Sequence, residues 1–285
     1  MTVGFIGFGD MGSDMAAHVA KKDGREVLVY DIDPARLESA KDIGVTPVDG
    51  IAAIGRRAEV TVIMVSTDAQ VEDVVGELVK SGRKGALFVV ASTIHPKTMR
   101  KLDKEVRRAG MNLIDAPVVF GRTGAKEGTL VSLCGGREED VDKARGVLDC
   151  YSKAVYHMGP IGSGQLTKTV NNMLHWSSCV ANFEAILLGK RYGLDGQRLR
   201  QVLINCPADN GSLRRWDSTR FTWHEKDMDI ALDLAQEGGL MLPLFGQVDQ
   251  LIKNLKPSQV KGLLYEDSTT YLGQEVTAMP AQEDS

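Results

Sequence analysis

No stretch of the 285-residue chain approaches the roughly 18 consecutive apolar residues that a membrane helix needs. Cysteine is sparse. Cys134, Cys150, Cys179 and Cys206 are far apart and form no CxxC, so a disulfide framework is excluded and reduced thiols in a cytoplasmic protein are expected. His18, His95, His157, His175 and His224 show no metal-ligand spacing, and no metal is expected. Basic runs are missing and the net charge is −4, so neither nucleic acid nor an anionic membrane is an expected partner. The first apolar stretch starts almost at Met1 and is broken by glycines and Asp10, so no signal or transit peptide is expected. With 43% hydrophobic and 25% charged residues, the composition is that of an ordinary globular protein, long enough for two domains.

What the chain does have begins at residue 2, with TVGFIGFGDMG. A short apolar strand runs into Gly7-Phe8-Gly9-Asp10-Met11-Gly12, and a helical pattern follows. Gly7 permits the tight turn, Gly9 lets the backbone approach a pyrophosphate, and Gly12 lets the helix pack close to the strand. The pyrophosphate would rest on the helix N-terminus. Glycine-rich turns are common, but this one has its context. A second strand, Glu26-Val27-Leu28-Val29-Tyr30, ends in Asp31, about twenty residues past Gly12, where an acid binds the ribose hydroxyls. A carboxylate there accepts from a 2′-hydroxyl and repels a 2′-phosphate, so NAD is expected rather than NADP. Arg36, the nearest cation, reads as a solvated charge at the start of the next helix.

Strands and helices alternate up to residue 158, with helices expected at 34–43, 69–80, 97–109 and 138–150. This implies an α/β Rossmann domain with a parallel sheet. After Gly159-Pro160 the strand signals stop. Helical patterns at roughly 163–193, 195–205, 211–220, 225–238 and 243–256 imply an all-α domain. The expected division is 1–160 for the Rossmann domain, 161–265 for the helical domain and 266–285 for a loosely ordered tail.

Ligands of open α/β sheets lie at the carboxyl ends of the strands. Three such ends carry small or polar groups: Val65-Ser66-Thr67-Asp68, Ser92-Thr93-Ile94-His95-Pro96 and Asp115-Ala116-Pro117-Val118-Val119-Phe120-Gly121. Turn chemistry alone would also favour these residue types. At the start of the helical half, Gly162-Ser163-Gly164-Gln165-Leu166-Thr167-Lys168-Thr169-Val170-Asn171-Asn172 places Lys168 and Asn172 on one helix face. The residues beyond, 173–188, are largely apolar, so a buried helix is expected. A lysine there is costly unless paired or used, or else it snorkels to solvent.

Taken together, GFIGFGDMG, ASTIHP, DAPV at 115–118, GSGQLTKTVNN at 162–172 and KDMDIALDLA at 226–235 resemble the β-hydroxyacid dehydrogenases over residues 2–260. The resemblance implies NAD-dependent interconversion of a β-hydroxy acid and its carbonyl form in a homodimer or homotetramer. It makes Lys168 the general acid/base and Asn172 a substrate-holding partner. Thr93 and Lys226 fall near the cofactor, and Ser212 borders the site. One departure matters. Family members usually continue DAPV as Ser-Gly-Gly, whereas this chain has Val119-Phe120-Gly121. A bulkier or more apolar substrate is expected, with Arg122 as the nearest candidate anchor for its anion. A free lysine titrates near 10.4, so the site is expected to lower the value for Lys168. Two readings remain open beside this one: an imine reductase-like NAD(P)H enzyme, which the apolar pair suits and Lys168 argues against, and a non-catalytic cofactor-binding module.

Overall fold

The computed structural model describes residues 1–22 and 24–280, which divide into two compact units, Met1–Lys168 and Thr169–Ser285. In the first unit, strands β1 (Val3–Ile6), β2 (Val27–Tyr30), β3 (Thr46–Pro47), β4 (Val60–Ile63), β5 (Leu87–Val90), β6 (Asn112–Asp115), β7 (Val118–Val119), β8 (Leu130–Gly135) and β9 (Ser152–Gly159) form one sheet. The order is β3-β2-β1-β4-β5-β6-β8-β7, with β9 beside β8. Pairing is parallel from β3 to β6. It turns antiparallel where β8 meets β6 and β7, so the sheet is mixed at that end rather than parallel throughout. The strand order runs outward in opposite directions on the two sides of the β1–β4 junction, which is the switch point where such sheets bind ligands.

Successive strand residues face opposite sides. Val3 and Phe5 with Val60, Val62, Leu87 and Val89 pack on one face. Ile6, Ile63, Phe88 and Val90 pack on the other. Both faces are covered by helices α1 (Asp10–Lys21), α2 (Ile51–Arg57), α3 (Asp68–Ser81), α4 (Pro96–Arg108), α5 (Gly121–Glu127) and α6 (Glu138–Leu148). No α-helix forms over 34–43. Two short 3-10 turns, Pro34–Leu37 and Lys41–Ile43, replace it.

Helix α7 (Ser163–Arg191) begins in the first unit and continues through the second. The second unit adds α8 (Gly196–Leu203), α9 (Gly211–Arg214), α10 (His224–Glu237), α11 (Pro243–Ile252) and α12 (Pro257–Tyr265). Its core gathers Trp176, Phe183, Ile186, Trp216, Met228 and Leu263. The tail departs from expectation. Thr269–Tyr271 and Gln274–Val276 form an antiparallel hairpin. It is pinned by the buried Thr269 hydroxyl donating to the Gln259 carbonyl at 2.8 Å and by Phe183 against the Tyr271 ring. Hairpin turns are local chemistry that helix periodicity does not register. Residues 281–285 of the expected tail lie outside the described residues.

Candidate active site

The glycine cradle forms at the carboxyl end of β1. Gly7 sits at φ +92, and a side chain there would drive into the Met64 carbonyl. A Cβ on Gly12 would overlap the Gly7 carbonyl, so α1 packs as close to the turn as backbone allows. At Gly9 no backbone stands in the way, and the vacancy is overlain by the Arg36 guanidinium. Arg36 is exposed, as a solvated charge would be, and its guanidinium lies over the loop with Nε 3.5 Å from Asp33. Asp31 holds the neighbouring loop. Its carboxylate accepts from the Phe8 backbone N–H at 2.6 Å and from the Asp33 N–H at 2.9 Å. A backbone that can approach an anion at a helix N-terminus, with a fixed carboxylate one strand away, fits a dinucleotide.

The next strand ends are tied together by hydrogen bonds. Val65 N–H donates to the Ser92 hydroxyl at 2.9 Å, joining the loops after β4 and β5. Ser66 N–H donates to Gln70 within a capping box at the start of α3. Asp68 accepts from the His95 N–H at 3.0 Å and the Thr98 hydroxyl at 2.6 Å. Thr93 is half-buried between Ser92 and Ile94, and both neighbours bond to Gln165. The Gln165 amide donates to the Ser92 carbonyl at 2.7 Å, and its oxygen accepts from the Ile94 N–H at 3.1 Å. Gln165 is fully buried and satisfied at both ends.

The first turn of α7, just before the turn that carries Lys168, rests on Asp115. This fully buried carboxylate accepts from the Gly162 N–H at 2.7 Å and the Gln165 N–H at 2.8 Å. A Cβ on Gly164 would strike the Leu133 carbonyl, so the helix start is pressed against β8. Lys168 is half-buried. Neither Asp115 nor Gln165 stood out as a site residue in the sequence, because Asp115-Ala116-Pro117 reads as a turn and a lone Gln carries no chemical signature.

Burial pushes the Asp115 carboxyl up to about 6, against the opposing pull of the backbone N–H groups it accepts from. The folded protein therefore holds this proton where the unfolded chain has released it. Stability from this group is full below the unfolded value of 3.8 and is lost as pH rises through about 6. Relative to Asp115→Asn, the wild type should lose on the order of 3 kcal/mol between pH 4 and 6.5 in urea unfolding, then level off. A difference that stays constant or grows with pH would mean the backbone donors outweigh burial.

Residues after β6 turn sharply. Phe120 has φ +84 and Gly121 φ +55, both left-handed. A left-handed aromatic residue costs roughly 1–2 kcal/mol. This explains why the family pattern has glycine there. Lys153 Nζ lies 4.1 Å from the centre of the Phe120 ring, and Val119 is half-buried in β7. Arg122 pairs with Asp10 of the glycine fingerprint.

In the second unit, Asn172 is buried on α7. One turn on, His175 Nδ1 lies 2.9 Å from the hydroxyl of Ser212, which is also buried. Ser212 is placed by Asn210, which caps α9 and exchanges amide bonds with Asn182 at 3.0 Å. Lys226 is half-buried in the first turn of α10. Beside it, Asp227 accepts from the Trp176 indole at 3.0 Å. The structure thus gathers the fingerprint, Asp31, Val65, Ser66, Thr93, Val119–Arg122 and Lys168 in the first unit, and Asn172, Ser212 and Lys226 in the second. His175 was not foreseen.

Fold and glycine cradle together define a Rossmann-type dinucleotide-binding protein. Residues 2–159 match the NAD binding domain of 6-phosphogluconate dehydrogenase. Residues 162–269 match the family described as NAD-binding of NADP-dependent 3-hydroxyisobutyrate dehydrogenase. The chain is 32% identical over 273 residues to a probable mitochondrial 3-hydroxyisobutyrate dehydrogenase of Dictyostelium discoideum, covering 88% of this chain and 84% of that one. It is 34% identical over 222 residues to the human mitochondrial 3-hydroxyisobutyrate dehydrogenase, covering 77% of this chain and 64% of the human one. The solved Mycobacterium tuberculosis 3-hydroxyisobutyrate dehydrogenase with L-serine superposes with a TM-score of 0.82 at 26% identity, covering 91% of this chain and 97% of that one. The chain belongs to the β-hydroxyacid dehydrogenase family, and it is an NAD(P)-dependent oxidoreductase. Among the described residues no helix is long and apolar enough to cross a membrane.

Proposed function

We propose that the enzyme oxidises a β-hydroxy acid with NAD, using Lys168 as the general acid/base. The observation that carries this reading is the Asp115–Gln165 clamp, which holds the first turn of α7 and Lys168 in the same unit as the glycine cradle. A nicotinamide cofactor held by the glycine cradle and Asp31 would supply the hydride acceptor in oxidation and the hydride donor in reduction. Lys168 takes the hydroxyl proton in oxidation and gives it back to the carbonyl oxygen in reduction. Asn172, one turn on, orients the reacting oxygen. Thr93 would contact the nicotinamide ribose, Lys226 would lie near the cofactor, and Ser212 would border the substrate. Asp31 would favour NAD, since a carboxylate at the end of β2 would accept from a 2′-hydroxyl and repel a 2′-phosphate. A cytoplasmic homo-oligomer fits the half-exposed Val170 and Leu174, one turn apart on α7. Light scattering of the purified chain reads its size. The compact units divide at Lys168/Thr169, a little beyond the expected boundary at 160, because the start of α7 packs against β8.

Val119 and Phe120 make the substrate more apolar than 3-hydroxyisobutyrate. They remove a hydroxyl donor and add a ring that is 41% exposed. Burying apolar substrate surface contributes about 25 cal/mol per Å². The double variant Val119→Ser, Phe120→Gly should gain about tenfold in kcat/KM on small hydroxy acids, roughly one hydrogen bond's worth. Steady-state kinetics on glycerate and 3-hydroxyisobutyrate reads it. A wild type that already turns over these acids as well as any larger one would make the departure neutral drift.

A further inference from the structure

We infer that Arg122 is a positioning residue for the cofactor: it neutralises Asp10 so that the dinucleotide pyrophosphate can approach the N-terminus of α1. Asp10 is the first residue of that helix, within the glycine fingerprint. A carboxylate suits the positive end of a bare helix, but the same end must receive two phosphate charges. Left alone, Asp10 would repel the ligand its own motif exists to hold. Arg122 pairs with it.

The chain commits local strain to this pairing. Two consecutive left-handed residues, Phe120 and Gly121, turn the backbone from β7 into α5. Helix α5 then runs along α1 and is strapped to it at both ends. At one end Arg122 meets Asp10. At the other, His18 Nε2 lies 3.0 Å from the Ala125 carbonyl and 3.1 Å from that of Lys126. Both members of the ion pair are more than half exposed, at 57% and 54%. Such a pair adds little to stability. Its effect lies in the local field, where removing one positive charge leaves a net negative one beside an anion site.

The inference rests on the dinucleotide reading of the fingerprint, and binding of NADH and ADP-ribose to the wild type checks that reading separately. Fluorescence titration with NADH, and calorimetry with ADP-ribose, would compare wild type, Arg122→Ala, Asp10→Asn and the double variant. Arg122→Ala should weaken both ligands about tenfold at low salt, and the loss should shrink as salt screens the charge. Arg122→Lys should retain most of the affinity. Asp10→Asn should bind at least as well as wild type, and the double variant should match Asp10→Asn. An Arg122→Ala variant with wild-type affinity would overturn the inference. So would a double variant as weak as Arg122→Ala, which would mean that Arg122 touches the cofactor itself.

Discussion

Lys168→Ala should lower kcat by about 10² or more while leaving NADH affinity within a few-fold of wild type. Loss of a positioned general acid/base removes that much on its own. Lys168 sits one turn into α7, whose attachment depends on Asp115, Gln165 and the close approach at Gly164, and not on the lysine. The substitution should therefore spare the fold, which thermal unfolding would verify. Lys168→Arg should fare little better than alanine, because a guanidinium does not release its proton at working pH. Asn172→Ala should cost less, since it removes an orienting bond and leaves the proton carrier in place. A Lys168→Ala enzyme with near-wild-type kcat would remove the lysine from the mechanism.

The second large effect concerns cofactor choice. The wild type should prefer NAD, and Asp31→Ser with Ile32→Arg should move the NADP to NAD ratio of kcat/KM by about 10²-fold. The carboxylate is held rigidly by the Phe8 and Asp33 N–H groups, so it cannot swing away from an incoming 2′-phosphate. Repulsion of that kind, in a partly screened site, is on the order of 1–4 kcal/mol. Ile32 is 87% exposed, and an arginine there has room to reach. Arg36, already folded over Gly9, would add to the attraction. Equal kcat/KM for both cofactors in the wild type would show that Asp31 does not discriminate.

The parts of this molecule legible in the sequence are those written as local periodicity or glycine spacing. GFIGFGDMG with Asp31 reads directly as strand, turn, helix and acid, and the long apolar pattern after Gly162 reads as α7. What escaped was set by contacts distant in sequence. Asp115 looks like a turn residue until the Gly162 and Gln165 amides are brought to it. Gln165 has meaning only once Ser92 and Ile94 flank it. Arg122 read as a candidate anchor for a substrate anion, because nothing in its sequence neighbourhood announces Asp10. The expected helix at 34–43 failed for a local reason: Asp33 and Pro34 start a turn, but the run that follows lacks a continuous apolar face, and only 3-10 turns form. Helix α5 was invisible because it is short and opens with glycine.

The account stands most directly on one assay, reduction of NAD by the wild-type enzyme followed at 340 nm across a panel of hydroxy acids. The panel should run from glycerate and 3-hydroxyisobutyrate to β-hydroxy acids with branched and aromatic side chains, with cyclic imines and NADH or NADPH run in parallel. The account predicts turnover of β-hydroxy acids, rising with the apolar part of the substrate and lost in Lys168→Ala. Reduction of imines with no hydroxy acid oxidised, or tight NADH binding with no turnover of any member, would contradict it.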